Sequence, residues 1–205
     1  MKYRNFIKLS IAIFLIAAIA MFASPKEWRY FLYHPIYLGI VFLVSAFLIY
    51  FPQIVFRFTV QEKKEMIRKT QATLASAFLL NALGEFGFYK LYLIGFEYDK
   101  LIHLVNSMLF SFLLGKILVI WKNFSFRQTV WRTVLAIFIG GVGWELWEIF
   151  SDFVFHTLEW GVYGEYNFVD TIGDLIWNCA GILMGVVLLK LTMKEALFKK
   201  SRTAF

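Results

Sequence analysis

Charge is scarce in this chain. Asp, Glu, Lys and Arg make up 17% of its 205 residues, against about a quarter in an ordinary soluble domain. Set beside a hydrophobic share of 60% and an aromatic share of 20%, that shortage excludes a water-covered globular surface. Cysteine is scarcer still. The one cysteine, Cys179, lies in an apolar run, so neither an internal disulfide nor a cysteine-based zinc cluster can form. Proline occurs only at positions 25, 35 and 52. Pro35 falls in the first turns of an apolar run and Pro52 near the end of the same run, where helices tolerate proline best. No HExxH, Gly-x-Ser-x-Gly or P-loop motif occurs, and there is no internal repeat or low-complexity segment.

What is present is a succession of apolar runs of about 20 residues, the length that crosses a hydrocarbon core as a helix. They predict an all-α polytopic transmembrane bundle of six spans, over about residues 6–23, 30–55, 73–96, 99–121, 129–155 and 170–193. Short loops take up the rest, leaving one membrane domain and no soluble one. Lys2, Arg4 and Lys8 ahead of the first run resemble a secretory leader. The run up to Ala23 is long for a leader, however, and Met21-Phe22-Ala23 is a poor cleavage site. A retained first helix is therefore expected.

Lys and Arg set the orientation. With the N-terminus inside, the inner segments hold three, five, four and five basic residues, 17 of 21 in all. Lys26, Arg29, Lys90 and Lys100 fall outside, and the loop over 156–169 has neither Lys nor Arg. Both termini are thus expected in the cytoplasm. The net charge of +7 would point to nucleic acid in a soluble protein. Here the basic residues serve topology and anionic lipid headgroups, and the expected partners are membrane lipids, with no nucleic acid.

Acidic residues follow the opposite pattern. Only Glu62, Glu65 and Glu195 of the 14 lie on the inner side, and topology does not require that bias. Asp99 and His103 are i,i+4 at the start of the fourth span. Glu145, Glu148 and Asp152 are i, i+3, i+7 at the end of the fifth. Asp170, Asp174 and Asn178 are i, i+4, i+8 at the start of the sixth. Each set occupies one helix face, and all three reach the outer face together. A charged side chain at mid-bilayer costs about 2.5–3.5 kcal/mol on insertion scales, so such groups turn inward and pair, bind ions or carry protons. Asp99 and Asp170 also suit helix N-termini as caps, and Asp152 can simply be solvated. His103, Glu145, Glu148 and Asp174 are the deeper four. They are the candidate catalytic groups and equally the candidate metal ligands, with Asp99, Asp152 and Asp170 in support. Asn81 and Glu85 of the third span, i,i+4, either extend this pocket inward or pair locally, for example with Lys90.

Carboxylates with one imidazole suit a divalent cation such as Mg²⁺, Mn²⁺ or Zn²⁺. They also suit acid–base catalysis and proton-coupled movement of a solute. Spacing alone leaves these open. His34 and His156 lie near the outer surface and read as interfacial. Gly140, Gly141 and Gly143, and the Gly181-x-x-x-Gly185 pair, read as close-packing positions. Trp28, Trp121, Trp131 and Trp160 fall at expected interfaces. Trp144 and Trp147 flank the glutamates and either wall the pocket or face lipid.

The order Asp99-Lys100-x-x-His103, then Glu145 and Glu148, then Asp174-x-x-x-Asn178-x-x-Gly181-x-x-x-Gly185 resembles the VanZ-like family. The Asp170-Thr171-x-x-Asp174 run brings it nearer the YjdF-like bacterial inner-membrane proteins. The resemblance covers about residues 99–185. Two features depart from the VanZ-like pattern: Glu148 stands where that family often has glutamine, and the outer loop lacks the arginine usual before the final aspartate motif. Both make the pocket more acidic. The VanZ-like family is associated with low-level teicoplanin resistance, so the resemblance implies a cell-envelope role without a defined reaction.

Three functions fit these residues. The first is an outward-facing pocket that binds a cation, or does acid–base chemistry, on a lipid-linked or small amphipathic envelope substrate. The second is an ion- or proton-coupled transporter that uses the same carboxylates. The third is a non-enzymatic structural or resistance factor whose polar core fixes helix packing.

Overall fold

The computed structural model describes residues 3–25, 34–56, 61–122, 124–157 and 167–202. Among them, regular structure is entirely helical. The helices are α1 (Arg4–Ala23), α2 (Pro35–Val55), α3 (Gln61–Glu85), a 3-10 helix (Phe88–Ile94), α4 (Tyr98–Lys122), α5 (Phe126–Phe155) and α6 (Asn167–Arg202). Five are long and apolar enough to cross a membrane, over Arg4–Ala23, Pro35–Val55, Tyr98–Ile120, Phe126–Phe155 and Phe168–Met193. They coincide with five of the expected spans. The start of the expected second span, at 30–33, lies outside the described residues. So do 26–29 and 158–166, expected as parts of outer loops, with Lys26, Trp28, Arg29 and Trp160.

The third span differs from expectation. A continuous helix over 73–96 does not form. Instead α3 begins a dozen residues earlier, in the charged stretch, and stops at Glu85. Gln, Glu, Lys and Met are good helix formers, which accounts for the early start. The stop is at Gly87, whose φ of +121° is open to glycine but not to an ordinary side chain. Its N–H bonds the Gly84 carbonyl at 2.9 Å. The chain then tightens into the 3-10 helix, which closes on Gly95 in the left-handed region. At the other end of the bundle α5 starts on a capping box, Ser125 with Gln128.

α1 and α2 pair through an apolar core that includes Phe14, Leu38, Phe42 and Ile49. α3 lies against both. The buried Gln71 amide donates to the Ile49 carbonyl at 3.1 Å, tying α3 to α2. α4 and α6 form the most extensive pair. A Cβ added at Gly185 would lie 2.5 Å from the Met108 carbonyl oxygen, and one at Gly181 would collide with the Leu104 carbonyl. Glycine at both positions is what lets the two backbones approach.

Cross-helix contacts fix which ends lie together. Tyr98 at the start of α4 donates to the Leu80 carbonyl late in α3, at 2.8 Å. Tyr37 at the start of α2 packs on Phe155 at the end of α5, with ring centroids 5.2 Å apart. Trp147 Nε1 donates to the Tyr37 hydroxyl at 3.4 Å. Phe42 of α2 stacks on Phe86 at the end of α3, and Lys100 of α4 donates to the Asp170 carbonyl of α6 at 3.4 Å, so the beginnings of α2, α4 and α6 share one end of the bundle with the ends of α3 and α5.

Candidate functional site

At that shared end the acidic stripes of α4 and α6 meet. Asp99 lies in the first turn of α4 and Asp170 in the first turn of α6, where carboxylates complement the helix dipole. One turn deeper are His103 and Asp174, 6% and 1% exposed. His103 Nε2 stands 3.6 Å from Asp99 Oδ1 and 3.7 Å from Asp174 Oδ1. These three residues can each direct one ligand atom to a common point, with all three atoms within 4.8 Å of one another.

A cation is already in place. Lys100 Nζ lies 2.7 Å from Asp174 Oδ1 and 2.5 Å from Asp170 Oδ1, with Asp99 Oδ2 at 3.9 Å. Its side chain is 13% exposed and that of Asp174 only 2%. In sequence Lys100 counts as an outer charge for topology and as one position of the Asp99-Lys100-x-x-His103 motif, not as a partner of the α6 carboxylates. The missed signal is its spacing: Lys100, His103 and Ser107 are i, i+3, i+7, on the face that α6 covers.

Below the charges the network turns neutral. Ser107 Oγ donates to Asn178 Oδ1 at 2.5 Å. A Cβ at Gly141 would lie 2.9 Å from Asn178 Nδ2, so Asn178 fills the space that a glycine on α5 leaves open. The Asn178 Nδ2 donor and the Asn106 Oδ1 acceptor are buried with no hydrogen-bond partner among the described residues.

Both asparagines line a cavity of about 220 Å³ between α3, α4, α5 and α6. Asn81, Asp99, His103 and Ser107 complete its polar wall. Phe78, Tyr89, Phe110, Ile137 and Trp144 make an apolar one. Tyr89, on the 3-10 helix, donates to Asn81 Oδ1 at 3.2 Å, so the break in the third span is what brings Tyr89 to the site. Few convergent polar groups in a largely apolar hollow is the usual make-up of a small-molecule site.

The other sequence candidates divide. Glu145 is 3% exposed, and its carboxylate meets the Thr171 side chain of α6. The charges of Asp174, Asp99 and Lys100 bear on it, so it adjoins the cluster. Glu148 is buried one turn further along α5. Neither glutamate belongs to the group of three with metal-ligand spacing. Asp152 accepts from Thr157 Oγ1 at 2.5 Å, and Thr157 also meets Ser151 at 3.0 Å. That chain of polar contacts ties down the end of α5, where His156 takes up a left-handed cap. His34 caps α2, accepting from the Ile36 N–H at 3.3 Å. Glu85 is buried at the end of α3, while Lys90 is exposed on the 3-10 helix. Of the tryptophans flanking the glutamates, Trp144 walls the cavity and Trp147 bonds Tyr37.

No curated protein and no solved structure matches the chain. A family model does match, over residues 6–195. That stretch takes in all of α2 to α5, nearly all of α1 and the acidic and cavity-lining residues of α6, so the site is assembled from within the matched region. The chain belongs to the family described as Predicted membrane protein (DUF2238).

Proposed function

We propose that this chain is a multi-pass protein of the bacterial plasma membrane, with the acidic end of its bundle outward and both termini in the cytoplasm. α3 would make the sixth span, shortened by Gly87. Its cavity receives a lipid-linked or small amphipathic envelope substrate, and His103 works on the polar end of that substrate as acid or base. The observation that carries this reading is the cavity wall itself. Asp99, His103 and two buried amide atoms, Asn106 Oδ1 and Asn178 Nδ2, face a hollow of about 220 Å³ whose other wall is apolar and aromatic. An amphipathic molecule can satisfy both: its apolar part takes the aromatic wall and its polar part the free donor and acceptor. Lys100 balances Asp170 and Asp174, which leaves Asp99, on the cavity wall, to exchange protons with His103 or the substrate, with Glu145 adjoining the cluster. The VanZ-like and YjdF-like resemblance of residues 99–185 supports an envelope role.

A cation-binding form of the same site has one observation in its favour, the common ligand point of Asp99, His103 and Asp174. Carboxylate and imidazole ligands suit Mn²⁺ or Zn²⁺. There the Lys100 ammonium competes for Asp174.

The test is a set of single variants, His103→Ala, Glu145→Gln and Asn178→Ala, scored for an envelope phenotype and for correct folding in membranes. Loss of phenotype in folded protein is expected for all three. Folded variants that keep the phenotype would reject the pocket and leave a packing module. Metal analysis of the purified protein separates the acid–base form from the metal form. Proteoliposome flux that is lost in the Glu145→Gln variant would instead favour a proton-coupled carrier.

A further inference from the structure

A second hollow lies at the opposite end of the bundle, apart from the acidic site. It is a groove of about 690 Å³ between the start of α1, the first half of α3 and the end of α4. Leu109, Phe112, Leu113 and Ile120 give it an apolar wall on α4, and Phe6 of α1 closes one side. Lys69 and Lys116 line it from α3 and α4, with Glu65, Thr73 and Ser76 also on its α3 wall.

Lys116 is the unusual member. It sits inside the apolar run of α4, half-buried, with Nζ 4.4 Å from the centre of the Phe112 ring. It has no carboxylate partner among the described residues, and the one charge that bears on it is the like charge of Lys69. Lys69 pairs with Glu65 at 2.7 Å, but both side chains are exposed, at 49% and 68%. An exposed pair of that kind holds its partners weakly. Two cations and one carboxylate, Glu65, thus line a largely apolar groove, and Glu65 pairs with Lys69 while Lys116 is left uncompensated. An anion would relieve their repulsion. An anion carrying a hydrocarbon tail would also cover the apolar wall.

We propose that this groove binds an anionic phospholipid of the leaflet opposite the acidic pocket. The phosphate sits between Lys69 and Lys116 and accepts from the Thr73 and Ser76 hydroxyls. The upper part of an acyl chain runs along Leu109, Phe112 and Leu113. The site is built from α1, α3 and α4 and does not depend on the outer pocket's function. The early start of α3 is what creates it, because only a helix through the charged stretch can carry Lys69 to this position.

The experiment uses the full chain in phosphatidylcholine vesicles with and without phosphatidylglycerol, scored by native mass spectrometry for retained lipid and by thermal unfolding. Wild-type protein is expected to retain phosphatidylglycerol in preference to phosphatidylcholine and to unfold at a higher temperature when it is present. Lys69→Gln and Lys116→Gln should each weaken retention by on the order of five-fold. Removing the same charge from the same helix outside the groove, with Lys64→Gln and Arg68→Gln, should leave it nearly unchanged. Equal loss in that control would overturn the proposal in favour of a diffuse basic collar. Inorganic phosphate in pure phosphatidylcholine vesicles should not raise the unfolding temperature, and an equal rise would make the groove a site for soluble anions. If the lysine variants do not fold, the wild-type comparison decides alone: equal retention of the two lipids rejects the site.

Discussion

Lys100 on α4 reaches across to Asp174 on α6, Nζ to Oδ1 at 2.7 Å, and this pair holds together the end of the bundle where the acidic residues collect. Asp174 is almost fully buried, so its charge depends on that contact. Asp170 is the more exposed partner and retains water whether or not Lys100 is present.

Replacing Lys100 with Ala is therefore expected to destabilise the fold by about 3–5 kcal/mol, the cost of leaving a buried charge without its partner. The double variant Lys100→Met with Asp174→Asn should recover a large part of that loss, because the stranded charge is gone. Unfolding midpoints in detergent measure both. A double variant no better than Lys100→Ala would mean that the pair is not the source of the effect.

The same ammonium competes with any metal for Asp174. Titrating Mn²⁺ or Zn²⁺ into Lys100→Met should give tighter binding than in wild-type protein, and Asp99→Asn should abolish the gain. Equal affinity in the two proteins would remove Asp174 from the ligand set.

Gly143 of α5 should respond in the opposite way to Gly181 and Gly185 of α6. Gly181→Ala and Gly185→Ala push a Cβ onto backbone carbonyls of α4, which cannot swing aside. The helices must part, at a cost of about 1–3 kcal/mol. A Cβ at Gly143 meets nothing within 4 Å. Gly143→Ala should be neutral, or stabilising by up to about 1 kcal/mol through helix propensity. Thermal unfolding of the three variants side by side checks the contrast.

Ser107→Ala removes the donor to Asn178 Oδ1 and strands a buried amide oxygen, expected to cost about 1–3 kcal/mol. Asn178→Ala added to it should cost less than the two single losses summed, since the stranded group leaves with it. A double-mutant cycle on unfolding free energies reads this coupling directly, and strict additivity would contradict the hydrogen bond.

Much of the site was legible as helix faces and little of it as contacts. The spacing of Asp99 and His103, and of Asp170, Asp174 and Asn178, was sufficient to align them, and the structure brings His103 to Asp174 as those stripes imply. Periodicity gave Glu145 the same face as Asp152, but it could not tell that Asp152 would be engaged by Thr157. Lys100 was assigned to topology because its partners lie 70 and 74 residues away.

The sequence by itself determined the number and place of the long apolar helices, apart from the third. Hydrocarbon thickness and the intrahelical hydrogen bond act over one run of residues, so the run alone is enough information. It also determined that the polar faces of α4 and α6 lie at one end. The tertiary structure decided the rest. Gly87 ended α3 early and turned the expected outer third of that span into a 3-10 helix carrying Tyr89. Gly181 and Gly185 let α4 and α6 close until Lys100 met Asp174 and Ser107 met Asn178. The cavity beside them, and the lysine groove at the far end, exist only between helices. Their shape follows from how closely backbones pack, and no single helix records that distance.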